Sequence, residues 1–158
     1  MSAHRPSSKA PHAPQIGDMP ADDCLALVRR HHVGRMAYCF HDRVDITPLH
    51  YVYADGWLFA RTSHGHKMEV LAHAPWVAFE VDEIDGVFDW RSVVVHGTAH
   101  TMDQHGAPLD AEHWARGIEL LREIVPETMT ESDPVPFRDV VFGIYVQSMI
   151  GRVASTRP

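Results

Sequence analysis

Between residues 61 and 67 the sequence reads Arg-Thr-Ser-His-Gly-His-Lys, a run of cationic and hydroxyl side chains around one glycine. These are the types a phosphate needs. Arg61 and Lys67 supply charge, Thr62 and Ser63 supply hydroxyl donors, and His66 adds an imidazole. If a strand ends and a helix opens here, unpaired backbone N–H groups and the positive end of the helix dipole join them. The same residues also suit an N-cap followed by solvated charges. The chain as a whole is acidic, with 14 basic against 21 acidic residues and a net charge of −7. That balance argues against a general nucleic-acid surface and makes a local basic cluster more conspicuous.

Two further segments carry polar and aromatic groups close together, Thr47-Pro48-Leu49-His50-Tyr51-Val52 and Trp90-Arg91-Ser92-Val93. If they meet the first segment, the result is a phosphate grip beside a flat, partly aromatic groove, suited to a ring system with polar and apolar edges. Taken singly, Tyr51 and Trp90 equally fit a core or an interface. No residue stands out as a catalytic acid or base. His50 is the one weak candidate, because imidazole titrates near neutral pH, and it equally suits a half-buried strand position.

The chain has 13 histidines in 158 residues. His64 alternates with His66, and His96 shares a strand face with His100, yet no cysteine or carboxylate stands at matching ligand spacing and no HExxH occurs. We therefore expect no metal site. Cys24 and Cys39 are too few for a disulfide framework and read as reduced thiols of a cytoplasmic protein. The first 17 residues lack the apolar stretch of a secretory signal and read as a disordered tail. No segment is apolar for long enough to span a membrane.

The elements that must position these groups are mostly strands, in one domain over residues 18–158. A first helix, capped by Asp18 or Asp22, presents Ala21, Cys24, Leu25 and Val28 on one face. Strands follow at Val33 to Phe40, Arg43 to Tyr53 and Trp57 to Thr62, with a hairpin turn at Ala54-Asp55-Gly56. Pro48 within the second marks an edge or a bulge. A short helix runs from about His64 to His73. Val77 to Glu83 is a strand, Ile84-Asp85-Gly86 a turn, and Phe88 to Met102 a long strand in which Gly97 suggests a bulge or a close backbone approach. A second clear helix spans about Asp110 to Val125, and Val140 to Gln147 is the last strand. About six or seven strands joined by tight turns favour an antiparallel barrel over a doubly wound sheet.

In order, Thr47 to Val52, Asp55-Gly56, Arg61-Thr62, His66-Lys67, Ala74-Pro75 and Trp90-Arg91-Ser92-Val93 with Gly97 resemble the pyridoxamine 5′-phosphate oxidase superfamily, the FMN-binding split barrels. The resemblance runs continuously from Val33 to Met102. It implies a mainly β split barrel with short helices and FMN as cofactor. The phosphate would lie on Arg61, Thr62, Ser63 and Lys67, with His66 beside it. The flavin ring would lie along the backbone of His50, Tyr51 and Val52 and near Trp90, Arg91 and Ser92. It also implies a homodimer with flavin sites at the subunit interface. The vitamin oxidase itself has a basic Arg-x-x-Leu-Leu-Lys stretch where this chain has Ile46 to Tyr51, and Gln where this chain has Ser92. Its Arg-Leu-x-Pro-like ending is not reproduced by Gly151-Arg152-Val153-Ala154. The chain looks closer to the nitroimidazole-resistance-type and uncharacterised flavoprotein relatives than to the true oxidase.

Three functions follow as expectations. The first is an FMN-dependent oxidoreductase that takes electrons from a reduced nicotinamide or deazaflavin and passes them to a small electrophile such as a nitroaromatic or quinone. The second is a flavin- or haem-binding protein without turnover, with His50 or His64 as haem ligand. The third is a small-molecule-binding barrel that uses no flavin.

Overall fold

The computed structural model describes residues 13–156. Its order of elements is β1 (Gln15–Asp18), α1 (Ala21–Arg30), β2 (Val33–Phe40), β3 (Arg43–Ala54), β4 (Trp57–Thr62), α2 (His66–His73), β5 (Trp76–Gly86), β6 (Asp89–Thr101), α3 (Pro108–Ile124) and β7 (Val140–Ser155). The strands lie in the order β1-β7-β4-β3-β2-β5-β6, all neighbours antiparallel, and β6 also pairs with β7. That last pairing closes six strands into a barrel and leaves β1 as an added edge strand. The expected antiparallel split barrel is therefore the observed architecture.

Alternation sets what fills the barrel, because successive strand residues point to opposite faces. Met36, Tyr51, Leu58, Phe79, Val93, Val95, Phe142 and Ile144 point inward and are fully buried. Cys24, Leu27 and Val28 of α1 join this core. Helix α3 covers part of the outer face, where Ile118, Leu120 and Leu121 pack on Val52, Phe59 and Val141.

Turn chemistry agrees with the hairpin expected at Asp55-Gly56, where both residues have positive φ, 54° and 81°. Pro48 lies where β3 pairs only with β2, since β4 pairs with Tyr51 to Ala54 alone. An edge position is what proline's missing N–H demands. At Gly97 the β6–β7 register shifts, and an added Cβ would lie 2.2 Å from the Tyr145 carbonyl oxygen. Both the bulge and the close approach are present.

Several expectations need correction. Residues 1–12 of the expected tail lie outside the described residues, and Gln15–Asp18 form β1 rather than a tail. Backbone pairing to β7 and an Asp18–Arg152 ion pair of 2.8 Å hold it without an apolar run. Pro20, not an aspartate, begins α1, and its buried face is Cys24, Leu27 and Val28 rather than one including Ala21. Strand β5 continues through the expected turn to Gly86, with an irregular step at Ile84–Gly86. Strand β7 runs eight residues past Gln147, to Ser155, because β6 and β1 supply hydrogen-bond partners that its own polar sequence does not announce.

Gly97→Val is expected to destabilise the fold by about 3 kcal/mol, because the new side chain meets backbone rather than a movable side chain. Urea unfolding of the two proteins checks this, and unchanged stability would refute the close-approach role.

Candidate phosphate-binding site

The site is built where β4 runs out and α2 begins. Thr62 ends β4 and is buried, and Lys67 lies in the first turn of α2. The Lys67 ammonium donates to Thr62 Oγ1 at 2.9 Å. Burial pushes the Lys67 pKa down, and the Arg138 cation beside it pushes the same way. Among the described residues no carboxylate stands within ion-pair distance of Lys67. A half-buried ammonium with a hydroxyl partner and a second cation nearby is an arrangement that an anion stabilises. Ser63, His64 and His66 are exposed around the helix start.

Arg61 does something other than expected. Its guanidinium is buried and forms a two-point ion pair with Asp133, one contact to each carboxylate oxygen. It also reaches the Arg138 carbonyl oxygen at 3.5 Å. Asp133 further accepts from the backbone N–H groups of Met129 and Val135, at 2.8 and 2.9 Å. Those donors, with Arg61 first among them, hold its carboxyl well below the usual carboxylate range. Arg61 is thus a framework residue that fixes the loop before β7. Arg138, on that loop, is the cation whose charge bears on Lys67. Sequence reading missed it because it stands 71 positions beyond Lys67 with no motif around it.

The second segment splits. His50 is exposed on the outer face of β3. Tyr51 is fully buried: its hydroxyl donates to the Val28 carbonyl at 2.7 Å, its ring packs edge-on to Phe79, and its N–H donates to the His32 carbonyl. Val52 lies under α3. Tyr51 and Val52 are therefore core, and His50 alone of the three presents a free side chain. In the third segment Trp90 is half-buried, and Ser92 Oγ donates to Glu80 Oε1 at 2.8 Å. Arg91 lies 3.6 Å from Glu83. Glu83 also takes Arg30 and His31, which together hold its carboxyl down at about 2.

Within one chain, β3 lies next to β4, but the register between them ends at Tyr51–Ala60 and His50 is exposed on the outer face, and Trp90 to Ser92 stay apart from β3. Strands β2 and β5 stand between β3 and β6, which is about 14 Å around the sheet at ordinary strand spacing. The intervening outer face carries exposed Val33, Val44, Ile46 and Trp76. Among the described residues no three His, Cys, Asp or Glu side chains are grouped to hold a metal ion. No helix among them is long and apolar enough to cross a membrane.

Breaking the buried pair should be costly. Arg61→Met leaves Asp133 charged and unpaired, for an expected loss of about 3–5 kcal/mol. Because the folded state lowers the Asp133 pKa, the pair's stability is present above the ordinary carboxylate range and lost as pH falls below it. Asp133→Asn should therefore flatten the acid limb of a stability–pH curve, and a curve of unchanged slope would contradict the assignment.

Comparison with known proteins agrees with this architecture. Residues 20–153 match the family model described as pyridoxamine 5′-phosphate oxidase. An uncharacterised protein of Rhizobium meliloti is 28% identical over 79 residues, a stretch covering 50% of this chain and 52% of that relative. A FAD-binding protein of Mesorhizobium loti superposes with a TM-score of 0.72 at 26% identity, over 89% of this chain and 99% of the other. A candidate 5-nitroimidazole antibiotic resistance protein of Bacteroides thetaiotaomicron superposes with a TM-score of 0.68 at 14% identity, over 98% and 96% of the two chains. A FAD-binding protein of Mycobacterium smegmatis gives 0.60 at 20% identity, over 87% and 98%. From its closed six-strand ring to the matched span of residues 20–153, the chain belongs to the pyridoxamine 5′-phosphate oxidase family.

Proposed function

We propose that the chain binds a flavin through its phosphate and serves as an oxidoreductase. The carrying observation is Lys67, a half-buried cation with no carboxylate partner among the described residues, set against Thr62 and Arg138 at the opening of α2. A phosphate there would accept from the Lys67 ammonium, from the hydroxyls of Thr62 and Ser63, and from the first turn of α2. This is the FMN half common to both natural flavins, and relatives named as FAD-binding support a flavin as the ligand.

The residues present fit that group in charge and in donor type. When bound, the flavin supplies two-electron redox chemistry, while the protein supplies position and electrostatics. Thr62 orients the Lys67 ammonium. Arg61 and Asp133 hold the loop that carries Arg138 and so keep the second cation in place. His50, exposed on β3, is the candidate imidazole for moving a proton to or from a substrate. Electrons would come from a reduced nicotinamide or deazaflavin and go to a small electrophile such as a nitroaromatic or quinone.

A second copy of the chain completes the site in this reading. Trp90 to Ser92 lie apart from the grip of their own chain, and exposed apolar Val44, Ile46 and Trp76 offer a surface for association. Trp90 to Ser92 of one copy would then approach the grip of its partner.

Purified protein should show flavin absorption, and Lys67→Ala should weaken flavin binding at least about tenfold, the loss of one charge-assisted contact. Full flavin occupancy in that variant would sink the phosphate assignment. A yellow protein that no donor and acceptor pair can cycle would make it a flavin carrier rather than an enzyme.

A further inference from the structure

We propose that the groove beneath α1 is a second binding site, for a short aliphatic molecule with an amine at one end and a carboxylate at the other. It shares no lining residue with the Thr62–Lys67 grip and does not rest on the flavin reading. The groove encloses about 290 Å³. Its floor is one row across three strands: Glu83 of β5 pairs with Arg91 of β6, and Arg91 pairs with Val153 of β7. Residues directly opposite in an antiparallel pair share a face, so these three side chains stand on the same side of the sheet. Arg91 therefore points away from the face that carries Trp90 and Ser92. The roof is α1, where Asp23, Ala26 and Arg30 fall at i, i+3 and i+7 and line the groove from one side of the helix.

The charges are divided between the two ends. Asp23 and Arg30 are two helical turns apart, about 10 Å along the axis. At the Arg30 end, three basic groups share one carboxylate. Glu83 takes Arg30 through Nε and Nη2 at 2.7 and 2.8 Å and His31 at 2.6 Å, and Arg91 comes only to 3.6 Å, too far for a hydrogen bond. Arg30 Nη1 and the Arg91 guanidinium are thus left to donate to a ligand carboxylate. At the other end, among the described residues, Asp23 forms no ion pair. Its carboxylate can take a ligand amine. The rest of the lining is Met19, Pro20, Ala26 and Val153, apolar surface that an alkyl chain would cover. A simple carboxylate would lay its alkyl end against the Asp23 charge, and a simple amine would do the same to Arg91. A ligand with both charges satisfies both ends.

The test is calorimetric titration of the full chain with 6-aminohexanoate, and with hexanoate and hexylamine as the one-charge probes. The amino acid should bind at least about tenfold tighter than either. Asp23→Asn and Arg91→Gln should each weaken it at least about tenfold. Asp23→Asn acts on the amine alone, so it should leave hexanoate no weaker than before. Both side chains are exposed, so these variants should fold. Ala26→Phe fills the groove from an exposed helix position with every charge kept, and it should abolish binding. No binding of 6-aminohexanoate, equal binding of hexanoate, or variants that bind as the parent does would overturn the site.

Discussion

Strand β7 must satisfy hydrogen bonds on both of its edges at once, and the rest of the molecule depends on that. Over Val140 to Tyr145 it pairs with β4, over Phe142 to Ala154 with β6, and over Arg152 to Ser155 with β1. Unpaired backbone groups in a core are expensive, so the barrel exists only while this strand bridges its two flanks. Small residues make the bridge possible. Gly97 lets β6 lie against the Tyr145 carbonyl, and Gly151 leaves room for Cys24 and Met19 beneath α1. Helix α3 then packs on the face that the β4–β7 pairing creates.

That closure also fixes the site. The loop that enters β7 carries Asp133 and Arg138, and pairing of Thr62 with Val140 brings this loop to the end of β4. Asp133 is taken up by Arg61 and by two backbone N–H groups. A buried ion pair gives little net stability by itself, but removing one partner is severe. Here its consequence is geometric: it fixes the loop that carries Arg138, whose charge bears on Lys67. A phosphate at the start of α2 would relieve the desolvated charge that Lys67 carries there.

Local sequence carried the fold further than it carried the site. Alternating apolar residues and the Asp55-Gly56 turn mark β3 and β4, and Gly97 marks its own bulge, because these depend on neighbours within a few positions. Strands β1 and late β7 were not legible, since Gln15–Asp18 and Ser148–Ser155 hold their places by pairing with each other and with β6 rather than by an apolar pattern. At the site, Lys67 and Thr62 stand together as their spacing suggested. Arg61 does not join them, because its partner lies 72 residues away and no local pattern reports it. Tyr51 was ambiguous for a similar reason: its hydroxyl partner is the Val28 carbonyl on α1, across the core.

If the phosphate is the anchor, its removal from the ligand must matter more than any change to the ring. The direct measurement is calorimetric titration of the full chain with FMN and with riboflavin, which differ in the phosphate alone. The account predicts that riboflavin binds at least about a hundredfold more weakly, as expected when a charged ligand group loses several charge-assisted hydrogen bonds. Equal affinity for the two would contradict it.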